Sequence, residues 1–157
     1  MSPELPMERL KTIEHIVGEF LYYVRGVYNS CLFLFSIMST INDPAEQNEK
    51  DVHQFLDYMA TTTNEVVRFH TSDMILRADT DELYLTGPEA RSHAVEYFLL
   101  GRITSKCTGE RLNGAIHVNS NTLKFVAASS AEEENGGCFV TGIDIIRPQN
   151  TLEEMFH

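Results

Sequence analysis

The stretch 74–88 constrains the fold of this chain more than any other. An apolar run, Met74-Ile75-Leu76, enters it, and the acids Asp79, Asp81 and Glu82 close it. Thr86-Gly87-Pro88 turns the chain, and a second apolar run follows, Ala94 to Leu100. Two such runs joined by a turn read as neighbouring strands. Alternation along a strand places Asp79 and Asp81 on one face, about 7 Å apart. Like charges side by side on a sheet are unfavourable. The pair therefore reads either as a divalent-cation site at a strand end or as a solvated strand exit.

Charge narrows the function classes. The formal net charge is −11, and Lys and Arg are scattered rather than clustered. An autonomous nucleic-acid binder draws most of its affinity from neutralising phosphates, so this composition argues against one. Cys31, Cys107 and Cys138 are widely spaced, with no Cys-x-x-Cys and no His at finger spacing, which argues against structural zinc. A reduced, intracellular chain is the expectation. The acidic N-terminus does not read as a signal peptide, and the apolar run near Cys31 is too short to span a bilayer.

Upstream of the central stretch the pattern is helical. Leu10, Ile13, Ile16, Val17, Phe20, Leu21 and Val24 form a stripe along a helix from Glu8 to Val27. Asn29-Ser30 predicts the cap of a second helix, Cys31 to Ile41, apolar nearly all round and therefore buried. Asp43-Pro44 predicts the start of a third, running to about Met59 with Val52, Phe55, Leu56 and Met59 inward. The polar connection 60–64 ends this helical segment. Residues 1–63 are expected to form a three-helix subdomain and 64–157 an antiparallel sheet with one packed helix, an α+β chain.

In the second part, Val66-Val67-Arg68-Phe69 reads as a short strand. Asn113-Gly114 is the pair favoured in type I′ hairpins and predicts a strand from Ala115 to Val118. Ser129 with Glu132, or Ser130 with Glu133, forms a capping box that opens a helix. On that helix 127, 131, 134 and 138 share a face, which sets Glu134 among small residues. Asn135-Gly136-Gly137 weakens it, and Arg147-Pro148 is expected to end it. His53, His70, His93 and His117 lie in different elements and read as structural or exposed. Cys31 and Cys138 read as ordinary buried thiols.

The blocks Phe20-Leu21-Tyr22-Tyr23, Gln54-Phe55-Leu56-Asp57-Tyr58 and Arg68-Phe69-His70-x-Ser72-Asp73-Met74 continue into Asp79-x-Asp81-x-x-Tyr84-Leu85. Pro88-x-Ala90-Arg91-Ser92, Ser129-Ser130-Ala131-Glu132-x-Glu134 and Thr151-Leu152-Glu153-Glu154-Met155 follow. In this order they resemble the Pol polyprotein of long-terminal-repeat retrotransposons. The similar region is the connection after the reverse transcriptase together with the first part of the ribonuclease H domain. The resemblance implies a ribonuclease H-like fold that hydrolyses the RNA strand of an RNA–DNA hybrid with two magnesium ions held by clustered carboxylates. It implies that Asp81, from the first strand, and Glu134, from the first helix, are catalytic and metal-binding, facing one another across the strand–helix packing. Asp79 and Glu132 have no metal role in that pattern.

The departures carry weight too. The family pattern adds a further strand with another catalytic Asp, and a second Asp beyond it, whereas this chain reaches His157 first. Asn135 also stands where the family has an apolar residue, and Gly137 replaces a better helix former. The expectation is a fragment without nuclease activity, with an incomplete ligand set for magnesium. The first strand would then be left as a sheet edge open to a second copy or a protein partner. A non-catalytic interaction scaffold and a residual metal-dependent ribonuclease are the alternatives.

Overall fold

The computed structural model describes residues 6–39, 46–87, 90–103 and 112–155, with the backbone alone at 39, 46 and 47. The chain divides into two compact units, Met1–Val66 and Val67–His157. The architecture is α+β, with helices first, then a three-stranded antiparallel sheet, then two more helices.

The first unit is helical. α1 spans Met7–Gly26, and the Pro6 carbonyl accepts the first backbone hydrogen bonds from Arg9 and Leu10 at 3.0 and 3.1 Å. A 3₁₀ turn, Asn29–Cys31, leads into α2, Leu32–Ser39, and α3 runs Glu46–Thr61. The expected cap at Asp43-Pro44 lies outside the described residues. The α1 stripe points inward as its spacing predicts, with Val17 buried and Val24 fully so. α2 is more one-sided than its composition suggests. Leu32, Phe35 and Met38 are buried, but Leu34 faces outward.

What holds these helices together is aromatic packing. The Phe35 and Phe55 rings meet edge to face at 4.6 Å, and Phe20 meets Phe55 the same way at 5.5 Å. Such geometry sets the positive edge of one ring on the negative face of the next. Phe55 belongs to α3, Phe35 to α2 and Phe20 to α1, so a single ring ties three elements. Arg9 and Glu49 add an exposed ion pair at 3.1 Å, which contributes little.

In the second unit, β1 is Ile75–Leu83, β2 is His93–Gly101 and β3 is Ala115–Thr122, in the spatial order β1-β2-β3. β1 and β2 pair antiparallel, with Asp81 opposite Val95 and Thr80 opposite Glu96. β2 and β3 pair antiparallel, with Glu96 opposite Asn119 and an irregularity at Phe98/Leu99. α4, Ser130–Asp144, packs on the sheet, and α5, Ile146–Met155, follows it.

Several local expectations change. Val66–Phe69 is not a strand, and Val66 and Phe69 are 64% and 61% exposed. Instead Asn113 pins the segment. Its Oδ1 accepts from the His70 N–H at 2.7 Å, and its Nδ2 donates to the carbonyls of His70 (3.1 Å) and Leu100 (2.8 Å). Asn113-Gly114 is accordingly no type I′ turn. That turn needs positive φ at both central residues, and neither residue has it. Arg147-Pro148 does not end a helix but opens α5. Pro148 lies in its first turn, where an N–H has no intrahelical partner to lose.

Removing the ring that joins the three N-terminal helices should unfold that unit first. Phe55→Ala is expected to cost about 3–5 kcal/mol. Urea denaturation followed by circular dichroism at 222 nm checks this. A loss below about 1 kcal/mol would mean that the aromatic cluster is not the core of the unit.

Candidate functional site

The two faces of the sheet differ in chemistry. Along β1 the even residues Leu76, Ala78, Thr80 and Glu82 share a face with Ala94, Glu96 and Phe98 of β2, their direct cross-strand partners among them. α4 covers this face. The Glu82 carboxylate lies against Gly137, at the place a Cβ there would occupy. Thr141 Oγ1 donates to Glu96 Oε1 at 3.0 Å. Asn119 Nδ2, on β3, donates to Glu96 Oε2 at 3.2 Å and to Asp144 Oδ2 at 3.4 Å.

The helix is placed by its cap. Ser129 Oγ accepts from the Glu132 N–H at 3.2 Å, and the Glu132 carboxylate reaches back to accept from the Ala128 N–H at 2.8 Å. This is the reciprocal capping logic expected of Ser129 and Glu132. From that start, residues 133, 137, 141 and 144 fall on one face, and Glu133, Gly137 and Thr141 are buried. The face expected from sequence, 127/131/134/138, is not the inward one. Ala127 precedes the helix, and Ala131, Glu134 and Cys138 are exposed. Gly137 accounts for the difference. It weakens the helix intrinsically but leaves the space that the Glu82 carboxylate fills.

Asp81 and Glu134 are therefore not brought together. Asp81 is exposed on the sheet face away from α4, beside Asp79, and Glu134 is exposed on the helix. Their neighbours in sequence meet in their place. Glu82, from β1, and Glu133, from α4, approach closely enough for the charge of Glu82 to push the Glu133 pKa up. Burial is the larger cause for both residues. Glu133 is 1% exposed and neither of its oxygens has a hydrogen-bond partner. A hydrogen bond from Thr80 to Glu82 Oε1, 3.0 Å, partly offsets the rise at Glu82, while the charges of Asp81 and Glu134 add to it.

A second acid pair lies further along the same interface. Glu96 is 1% exposed, and burial raises its pKa. The Asn119 and Thr141 hydrogen bonds hold it down in part, and the Asp144 carboxyl beside it raises it again. Sequence reasoning missed Glu82, Glu96, Glu133 and Asp144. One signal was there to be read: Glu96 is the single charge inside the apolar run 94–100.

Magnesium wants several hard oxygen ligands converging at about 2.1 Å. Asp81 and Glu134, on different faces, do not offer that, and among the described residues no group of three or more His, Cys, Asp or Glu is arranged to hold a metal ion. Cys31 is buried, and burial raises its thiol pKa; Cys138 is exposed, contrary to expectation. His93 is buried against Thr122 Oγ1 at 3.0 Å, and burial lowers its pKa. No helix among the described residues is long and apolar enough to cross a membrane. Comparison with family models, with curated proteins and with solved structures gives no match.

The geometry separates two substitutions that sequence alone would interchange. Asp81→Asn removes a solvated charge and should change stability by less than about 0.5 kcal/mol. Glu82→Gln keeps the shape, removes the repulsion on Glu133 and should stabilise the protein at pH 7.5 by on the order of 1 kcal/mol. A raised folded-state pKa contributes stability below the unfolded value, about 4.3, and loses it as pH climbs through the folded value. The gain from Glu82→Gln should therefore fade near pH 4. Thermal melts of both variants at the two pH values check it. A larger gain for Asp81→Asn would mean that Asp81, not Glu82, faces α4.

Proposed function

We propose that this chain is a stretch of a retroelement Pol protein, a helical connection followed by a partial ribonuclease H-like fold, and that it does not cleave nucleic acid. The observation that carries the reading is the junction of sheet and helix. Three antiparallel strands lead directly into a Ser129-capped helix that seats on the sheet with carboxylates from β1 and α4 at the seam. The order of strands and helix matches the order that the sequence blocks imply, while the acids at the seam are the neighbours of the two motif positions.

The non-catalytic part of the proposal rests on direction. Two-metal hydrolysis needs carboxylates that converge on the scissile phosphate. Asp81 and Glu134, the acids in the motif positions, are both exposed on different elements, and of the acids that do meet, Glu133 is buried and Glu82 half-buried. The net charge of −11 also disfavours docking on an RNA–DNA hybrid.

A second reading, an interaction scaffold, draws on the sheet edge. Among the described residues β1 pairs with β2 alone, which leaves its outer N–H and C=O groups open to a strand from a protein partner or a second copy. Arg77, Asp79 and Asp81 along β1 make that edge charged, so its partner strand would carry complementary charges.

An RNA–DNA hybrid incubated with the full chain and magnesium or manganese should remain intact. Cleavage that disappears in Asp81→Asn or Glu134→Gln would overturn the non-catalytic reading. Light scattering decides the scaffold reading, which expects self-association that rises with concentration or binding of a strand-forming peptide.

A further inference from the structure

The buried face of α4, marked by Glu133, Gly137 and Thr141, accounts for one side of the helix only. At about 3.6 residues per turn, Phe139, Ile143 and Ile146 fall together on the opposite side. They are 70%, 52% and 51% exposed. The stripe passes from α4 into α5 without a break in the helical path. Ile145 between them is itself helical, its N–H donating to the Thr141 carbonyl at 2.9 Å and its carbonyl accepting from the Gln149 N–H at 3.0 Å. The Phe125 ring lies against Gly136, at the place a Cβ there would occupy, and borders the stripe while still 40% exposed. These four side chains leave on the order of 400 Å² of apolar surface in water. That is close to the apolar share of one side of a standard interface, about 800 Å² per partner and little over half apolar.

We infer that this face is where two copies of the chain meet, helix against helix, antiparallel and crossing at Gly142. A Cβ at 142 would meet nothing within 4 Å among the described residues. The glycine therefore relieves no crowding within the chain, although it weakens the helix relative to alanine. It is the low point of the stripe, between the protruding Phe139 and Ile146. A twofold axis at Gly142 lets two backbones approach there, and it sets Phe139 of one copy level with Ile145 and Ile146 of the other. Ridges of one helix then enter the groove of the next.

Charge selects the direction and the occupant. Glu132, Glu133 and Glu134 crowd the start of α4, and Arg147 stands just beyond its end. Parallel pairing would bring the two acidic starts together. Antiparallel pairing sends them apart, opposes the helix dipoles, and brings Arg147 within about five residues, roughly 7 Å along the axis, of Glu132 on the other copy. A lipid surface fits poorly, because helices that lie on membranes carry Lys and Arg beside the apolar face, and Arg147 is the one basic residue of α4 and α5. The net charge of −11 on each copy opposes the contact, so the dimer is weak, with a dissociation constant on the order of 10–100 μM. This surface is distinct from the β1 edge and does not rest on the retroelement reading.

Sedimentation equilibrium of the full chain from about 5 to 500 μM tests the inference. A reversible monomer–dimer equilibrium is expected. Gly142→Leu adds a side chain into open space within the chain and replaces a poor helix former, so it should fold as the wild type by circular dichroism. It should nevertheless raise the dissociation constant at least about tenfold, because it blocks the crossing point. Ile143→Glu should do the same, and Tyr22→Ser, which removes an exposed ring from α1, should change nothing. A monomer throughout the range would overturn the inference, as would assembly that continues past the dimer. A dimer that survives both Gly142→Leu and Ile143→Glu would also overturn it, and would assign self-association to the β1 edge instead.

Discussion

A helix laid on a sheet through carboxyl groups is an expensive arrangement. Moving an ionised carboxylate out of water without a partner costs several kcal/mol, and a second carboxylate nearby adds to that. Glu96 and Glu133 are both 1% exposed, and the half-buried Glu82 is wedged against Gly137. Most of what distinguishes the second unit follows from accommodating these three residues. Gly137 and Thr141 are small, because side-chain volume there is taken by the acids of the strands. Thr80, Thr141 and Asn119 supply the hydrogen bonds that an acid can use in either protonation state. Burial raises the pKa of all three acids.

The first unit solves its packing in the ordinary way. Phe20, Phe35 and Phe55 bring three helices into edge-to-face contact, and its charges remain at the surface. The contrast locates the chemistry of the chain in its second part.

Periodicity made the helices and the strand pair legible. The α1 stripe from Leu10 to Val24, the burial of Val52 and Phe55 and the extents of β1 and β2 all follow from spacing. The cap at Ser129 was legible because Ser and Glu three apart satisfy orphan N–H groups locally. What spacing could not supply was direction. Moving by one residue along β1 exchanges Asp81 for Glu82 at the seam, and moving by one along α4 exchanges Glu134 for Glu133. Those choices are made by tertiary fit, chiefly by the gap above Gly137, which no local pattern reveals. Asn113-Gly114 misled for a related reason, because the Asn113 side chain bonds to His70 and Leu100 across the fold instead of closing a turn.

The central claim is that the seam between α4 and the sheet holds protons that ordinary glutamates have lost. Carboxyl-carbon NMR titration of the glutamates in the intact chain measures this residue by residue. Glu82, Glu96 and Glu133 are predicted to titrate above the usual glutamate range, near 4.3, with Glu154 inside it. Ordinary titration of all three would mean that the carboxylates are solvated, and that α4 does not rest on the sheet through them.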